Sequence, residues 1–287
     1  MIHIIFLLKN TKSIVISASD CVSTAKSTIS TISITSSFSS TIPKMELSNA
    51  DQYLTHYWPI TQSTMIDVIG NANMQQGYLT TFVSDRFGCS NSALNLNGGW
   101  TQVPNGYYLV SSQFTVSVWV YPLQVAANSR IFDFGNKDTS GNPFENIFFS
   151  FSNGASNNTY LWIYFSSSTI LSVTSSQTFI PGQWQFIAGT FDGSYLKLYL
   201  NGNLTATTAV HFPIPYILRT NNFIGKSNWA IDGYSTSYLD DLRFYNKSLS
   251  QYEIIDLMNA NSEEFSFHQQ ILHYNTYLSH FSNLISF

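Results

Sequence analysis

Charge is what this 287-residue chain has least of. Asp, Glu, Lys and Arg make up 10% of it, against about a quarter of an ordinary soluble protein. The 12 basic residues never gather into a run, which argues against electrostatic capture of nucleic acid or of an anionic membrane surface. Cysteine is almost missing. Cys21 and Cys89 allow one bridge at most, and it would have to tie a polar N-terminal tract to the rest, so both are expected to be unpaired within the chain. No stretch approaches the ~20 apolar residues of a membrane-crossing helix. The short apolar run Ile2-His3-Ile4-Ile5-Phe6-Leu7-Leu8 precedes the first lysine, Lys9, and lacks the basic start of a secretory signal.

The chain is equally poor in the side chains of catalysis. Residues 48–262 hold two glutamates, Glu145 and Glu253, and two histidines, His56 and His211. Glycoside hydrolysis needs two carboxylates facing each other across the sugar, and no pattern here sets such a pair on one strand. Asp133 and Asp192 fall at expected strand ends or turns. No Gly-x-Ser-x-Gly, His-Glu-x-x-His or phosphate loop occurs. The expectation is a protein without enzymatic activity.

Aromatic residues, by contrast, reach 16%, with 22 Phe, 17 Tyr and 6 Trp. They fall in a middle zone flanked by two different tails. Residues 1–47 are dominated by Ser and Thr and cannot bury enough apolar surface to offset the entropy of ordering, so they read as a tail or glycosylated stalk. Scattered Ile residues offer a weak β alternative. Residues 263–287 place His268, His273 and His280 among aromatics without a period and read as a second tail.

Between them, residues 48–262 show strand after strand. Phe114, Val116, Val118 and Val120 alternate with polar or aromatic residues and should face a core, with Trp119 and Tyr121 on the other side. Segments 131–134, 147–151 and 160–165 are rich in β-branched and aromatic residues. Segments 184–191, 195–200 and 204–208 are joined by Asp192-Gly193 and Asn201-Gly202, whose φ > 0 positions suit tight hairpins. Leu196, Leu198 and Leu200 should point in, Tyr195, Lys197 and Tyr199 out. After a strand over 238–245, Ser250 and Glu253 form a capping box and Leu249 with Ile254 a hydrophobic staple. The helix they start puts Ile254, Leu257 and Met258 on one stripe, expected to close an end of the sandwich.

The order of these segments carries a resemblance. Ser92-Ala93-Leu94-Asn95-Leu96-Asn97-Gly98, the strand from Phe114 to Pro122, Trp184 to Gly193, Leu196 to Gly202, and Leu239-Asp240-Asp241-Leu242-Arg243-Phe244-Tyr245-Asn246 with Leu249-Ser250 together resemble the laminin G-like jelly roll of the concanavalin A-like lectin and glucanase superfamily. The resemblance implies an all-β, two-sheet antiparallel jelly-roll sandwich with one short C-terminal helix. It also implies an extracellular or cell-surface recognition module for carbohydrate or a glycoprotein. A structural cell-adhesion module and a degenerate glycoside hydrolase are the alternatives, because one fold hosts many functions.

Candidate residues follow from chemistry. Strict alternation puts Asp240 on the core face with Leu242 and Phe244, where a carboxylate must be paired, hydrogen-bonded or metal-bound. It is therefore a candidate Ca²⁺ ligand, with an Arg partner as the competing solution. The segment 136–141 looks like half a calcium loop but has Ile147 where the ligating Glu belongs, and reads as a polar turn. Asn157, Asn203 and Asn246 open N-glycosylation sequons at turns or strand ends. Sugars present apolar faces to rings, and function concentrates on loops, so Trp100, Tyr107, Tyr108 and Trp229 are the candidate ligand-binding residues.

Overall fold

The computed structural model describes residues 50–260, apart from 76, 153, 155, 167 and 168, and the backbone of two strands near the N-terminus. These two, β1 (Ile2–Leu7) and β2 (Ser13–Ala18), pair antiparallel with Ile4 opposite Ile16. The β-branched residues of 13–18 thus take the strand option over the stalk. The rest of the Ser/Thr tract and the His-containing C-terminal segment lie outside the described residues.

Two antiparallel sheets follow. Chain order gives β3 (Leu54–Trp58), β4 (Thr81–Val83), β5 (Ala93–Asn95), β6 (Thr101–Val103), β7 (Phe114–Pro122), β8 (Arg130–Lys137), β9 (Pro143–Ser150) and β10 (Asn158–Ser166). Then come β11 (Thr169–Thr178), β12 (Gln185–Phe191), β13 (Tyr195–Leu200), β14 (Asn203–Ala209), β15 (Asn221–Ile224), β16 (Ser237–Tyr245) and the helix α1 (Gln251–Asn259). The small sheet runs β11-β10-β9-β8-β15-β6 and the large one β14-β13-β12-β7-β16-β5-β4, with β3 also paired to β16. This is the jelly-roll sandwich expected.

The period-two pattern decides what lies between the sheets. Phe114, Val116, Val118 and Val120 of β7 are fully buried, in one cluster with Ile187, Leu196 and Leu198 of the large sheet and Phe132, Phe134, Ile147, Phe149, Leu161 and Ile163 of the small one. Removing this much apolar surface from water is the main stabilising term. The β12-β13-β14 meander is as expected, and Asn201 and Gly202 turn it with φ of 50° and 76°.

The outer face of the large sheet departs from expectation. It carries its own apolar patch of Phe186, Ala188, Tyr199 and Tyr245, and α1 lays Ile254 and Leu257 on it. The helix therefore covers a face rather than closing an end. The capping box of Ser250 and Glu253 starts it as expected. Tyr195 is 47% exposed but Tyr199, on the same strand face, is only 5% exposed beneath the helix.

Alternation along β16 also fails at one point. Asp241 has φ 53° and the register with β7 skips between Asp240 and Arg243. This bulge lets two consecutive residues avoid the core. Asp240 lies opposite Trp119 on the outer side, while Leu242 and Phe244 return inward. Asp240 is buried there against an arginine. Arg86 donates to Asp240 Oδ2 at 2.6 Å and to Asp241 Oδ2 at 2.7 Å, its guanidinium lies 4.8 Å from the Trp119 ring centroid, and Arg243 donates to Asp241 Oδ1 at 3.1 Å. Burial and the adjoining Asp241 charge push the Asp240 carboxyl up, against the pull of Arg86. Two guanidiniums meeting two carboxylates do not suit a dication, which wants six to eight oxygens. No group of three or more His, Cys, Asp or Glu fit for a metal occurs among the described residues. The segment 136–141 is the end of β8 and the polar turn after it, in which Asp138 accepts from the Ser140 and Asn142 amides.

Cys89 is disulfide-bonded, which corrects the expectation of unpaired thiols. The chain's other cysteine, Cys21, lies outside the described residues. The buried Cys89 ends a turn organised by Asp85, whose Oδ1 accepts from the Phe87 and Cys89 amides.

A second buried carboxylate orders the segment after β3. Asp67 accepts from the amides of Tyr57, Ile69, Gly70 and Ala72 and lies 2.7 Å from His56 Nδ1. Burial raises its pKa, but the His56 and backbone hydrogen bonds outweigh that and hold it below the ordinary value.

Two outcomes are expected. Arg86→Met, which leaves two buried carboxylates short of a partner, should cost about 3–5 kcal/mol in urea unfolding, while a chelator should leave the wild-type melting temperature unchanged. Because the folded pKa of Asp67 is depressed, its stabilisation is present above about pH 4 and is lost as pH falls through the folded value. Unfolding free energies measured from pH 5 to pH 2 should decline less steeply in Asp67→Asn than in wild type.

Candidate functional site

Among the described residues, no helix lies over the outer face of the small sheet. Its next-to-edge strand, β10, alternates Leu161 and Ile163 inward with Tyr160, Trp162 and Tyr164 outward. On β9 the same alternation turns Phe148 out, opposite Trp162. Four rings thus stand side by side. Phe148 lies 5.3 Å from Trp162 and 5.8 Å from Tyr160, centroid to centroid.

One loop rises over this row. It leaves β15 at Gly225, where φ is 80° and an added Cβ would meet the Gly99 carbonyl at 2.9 Å, so glycine is required. The loop then crosses Asp133 of β8. Asp133 is fully buried in mid-strand, not at a strand end as the sequence reading had it. Its oxygens accept from Asn228 N at 3.0 Å, Asn228 Nδ2 at 2.9 Å and Asn146 Nδ2 at 2.6 Å. Burial pushes this carboxyl up, and Arg130 and the hydrogen bonds oppose the rise. Ser227 Oγ accepts from the Trp229 amide at 3.1 Å and donates to Asp232 at 2.7 Å. Trp229 consequently stands against the row, 5.6 Å from both Phe148 and Tyr164.

Arg130 fastens the other end. Its guanidinium lies 4.1 Å from the Phe148 centroid, bonds Asp232 at 2.7 Å, and reaches Ser150 Oγ and the Asn128 carbonyl. The result is a cleft of about 230 Å³. Phe148, Tyr160, Trp162, Tyr164, Ile170 and Trp229 line its apolar walls, and Asn128, Arg130 and Asp232 its polar rim. Trp162 Nε1 is buried beside it without an acceptor. Asp232 is the one carboxylate lining the cleft among the described residues, and it is bound to Arg130.

Of the four aromatic candidates, Trp229 alone lines this cleft. Trp100 packs edge to face on Phe223 at 5.4 Å, on the far side of the loop. Tyr107 is exposed but stacks on Tyr216 at 4.5 Å, elsewhere on the surface. Tyr108, 2% exposed, belongs to the core. Its hydroxyl donates to the Pro104 carbonyl and its ring packs on Phe134. Its neighbour takes the outward position, so both cannot. The three sequon residues, Asn157, Asn203 and Asn246, are all exposed. The sequence reading missed Phe148, Trp162 and Tyr164, although rings at every second position of 160–164 were a signal for an outward-facing aromatic strip.

Several known proteins share this architecture. Domain 4 of AbnA, a GH43 extracellular arabinanase from Geobacillus stearothermophilus solved in complex with arabinotriose, is 26% identical, with a TM-score of 0.59 over 72% of this chain and 98% of that domain. The binding domain of Paraclostridial Mosquitocidal Protein 1 is 18% identical with a TM-score of 0.57, covering 73% of this chain and 52% of the other. Human pappalysin-1 is 23% identical over 111 residues, 37% of this chain and 7% of its own length. The mouse protein is 40% identical over 40 residues, 14% of this chain and 2% of its own. The chain therefore spans a small part of these two curated relatives. A laminin G-type family model described as the concanavalin A-like lectin/glucanases superfamily matches residues 95–255. That is more than half of the chain, which therefore belongs to this superfamily.

Proposed function

We propose that this chain is a non-catalytic, extracellular carbohydrate-binding module, and that the cleft over the small sheet is its sugar site. The observation that carries this reading is the ring of Phe148, Trp162, Tyr164 and Trp229 around a polar rim of Asn128, Arg130 and Asp232. Sugar rings have apolar C–H faces edged by hydroxyls. Aromatic walls take the first, and the carboxylate, amide and guanidinium groups take the second, the division of labour usual in small-molecule pockets. The walls are also pre-ordered, since Asp133 and Arg130 fix the loop, so little entropy is lost on binding.

Similarity to an arabinanase domain solved in complex with arabinotriose supports a saccharide ligand. The non-catalytic reading is supported by Asp232 standing without a second acid in the cleft lining. The extracellular reading is supported by the disulfide at Cys89, since such bonds persist in oxidising compartments, and by the exposure of all three sequon asparagines.

Binding of the full chain to an immobilised oligosaccharide panel that includes arabinotriose tests the site. Trp229→Ala and Trp162→Ala should each weaken binding about tenfold or more. Tyr195→Ala, on the other sheet, should leave it unchanged. Wild-type affinity in both tryptophan variants would end this reading. In the denatured, unreduced chain, iodoacetamide should label no cysteine, and two only after reduction. Labelling before reduction would remove the disulfide argument.

A further inference from the structure

The loop that walls the cleft has a second side. Before it reaches Trp229 it carries Lys226, whose Nζ lies 4.3 Å from the Trp100 ring centroid and 4.6 Å from that of Phe223. Phe223 belongs to the same cross-strand row as the cleft. Phe148 faces Asp133, Asp133 faces Phe223, and Phe223 faces Gln102. Adjacent strands are about 4.8 Å apart, so Phe148 and Phe223 stand about 10 Å apart on one face. Ser227 and Asn228 cross between them.

The charges on the two sides differ. Arg130 is met by Asp232 at 2.7 Å and by Asp133 at 3.6 Å. Lys197 and Lys247 likewise have carboxylates at 2.8 and 2.7 Å. Lys226 has rings beneath it and no carboxylate partner among the described residues. Burial and the charge of Lys137 both push its pKa down, which marks a cation short of counter-charge. Lys137 itself is exposed.

We propose that Lys226, seated over Trp100 and Phe223, is a second subsite that takes the carboxylate or sulfate of an acidic saccharide. The proposal deepens the cleft reading and rests on it for the saccharide. One sugar occupies the ring-lined cleft beside Trp229, and an acidic neighbour reaches across the loop to Lys226. The ammonium supplies a charge-assisted hydrogen bond, and the flanking rings take the apolar face of the second sugar.

The test is an array of matched glycan pairs, acidic and neutral: uronates with their methyl esters, sialylated with desialylated, sulfated with unsulfated. At about 50 mM NaCl the acidic member should bind the full chain about fivefold better or more, and the gap should close near 500 mM. Which pairs differ tells carboxylate from sulfate. Lys226→Gln should equalise the pairs and keep the neutral signal, Lys226→Arg should retain the preference, and Trp229→Ala should lower both members. Equal binding of the pairs by wild type, or a preference that survives Lys226→Gln, overturns the proposal. Titration with sodium glucuronate, followed at the Trp100 indole N–H by NMR with glucose as control, separates the two readings. A saturable shift is expected in wild type and in Trp229→Ala, and none in Lys226→Gln. Absence of that shift in wild type sinks the Lys226 subsite whatever the cleft binds. Undiminished glycan binding by both Trp229→Ala and Trp162→Ala sinks the cleft reading alone.

Discussion

The Asp133 carboxylate is cut off from water on a sheet face rich in aromatic rings. A buried carboxylate is tolerable only when its oxygens are hydrogen-bonded, and here the side chains of two asparagines and a backbone amide supply that, with the Arg130 guanidinium adding its charge from 3.6 Å. Two of these bonds come from Asn228, in a loop that would otherwise be free to leave the sheet. The cleft, the placement of Trp229 and the seat of Lys226 all depend on that tether. Satisfying one charge shapes the surface.

The two sheets handle their outer faces differently. The large sheet hides its second apolar patch under α1 and packs charges beside it, with Arg86 and Arg243 against Asp240 and Asp241. A buried network of that kind is weak evidence for extra stability, since desolvation offsets much of the attraction. It does make the bulge in β16 hard to slip, because a shift of one residue would bury a carboxylate in the core. The small sheet's outer face is crossed, among the described residues, by one loop that divides it. Recognition is therefore expected where the scaffold is left uncovered, with the rigid layers behind it.

Low charge fits this division of labour. With few ionised side chains, the chain spends most of its arginines on internal pairing. Arg86, Arg130, Arg219 and Arg243 are all buried or nearly so. What remains on the small sheet's face is aromatic carbon, amides and the two lysines Lys137 and Lys226, neither with a carboxylate partner among the described residues, a surface suited to hydroxyl-rich ligands.

By itself the sequence determined the sandwich, because period two is a property of the strand and shows wherever one face is apolar. The Val stripe of β7, the Leu stripe of β13, the two Gly-containing hairpins and the capping box of α1 were legible for that reason. Strands with weak patterns were not, such as β11, whose Ser and Thr reveal no face. Trp229 could be picked out as a loop aromatic, but its partners could not, since Phe148, Trp162 and Arg130 come from three strands joined only by register. The face of Asp240 was misread because a bulge resets alternation without leaving a mark in the residues. Tyr199 points outward as expected and is buried only because α1 folds over it, whereas Tyr108 was misplaced because its neighbour Tyr107 takes the outward position and Tyr108 enters the core. The tertiary structure alone decided the cleft, because a site built across strands is a matter of pairing and loop tethering, which no local pattern encodes.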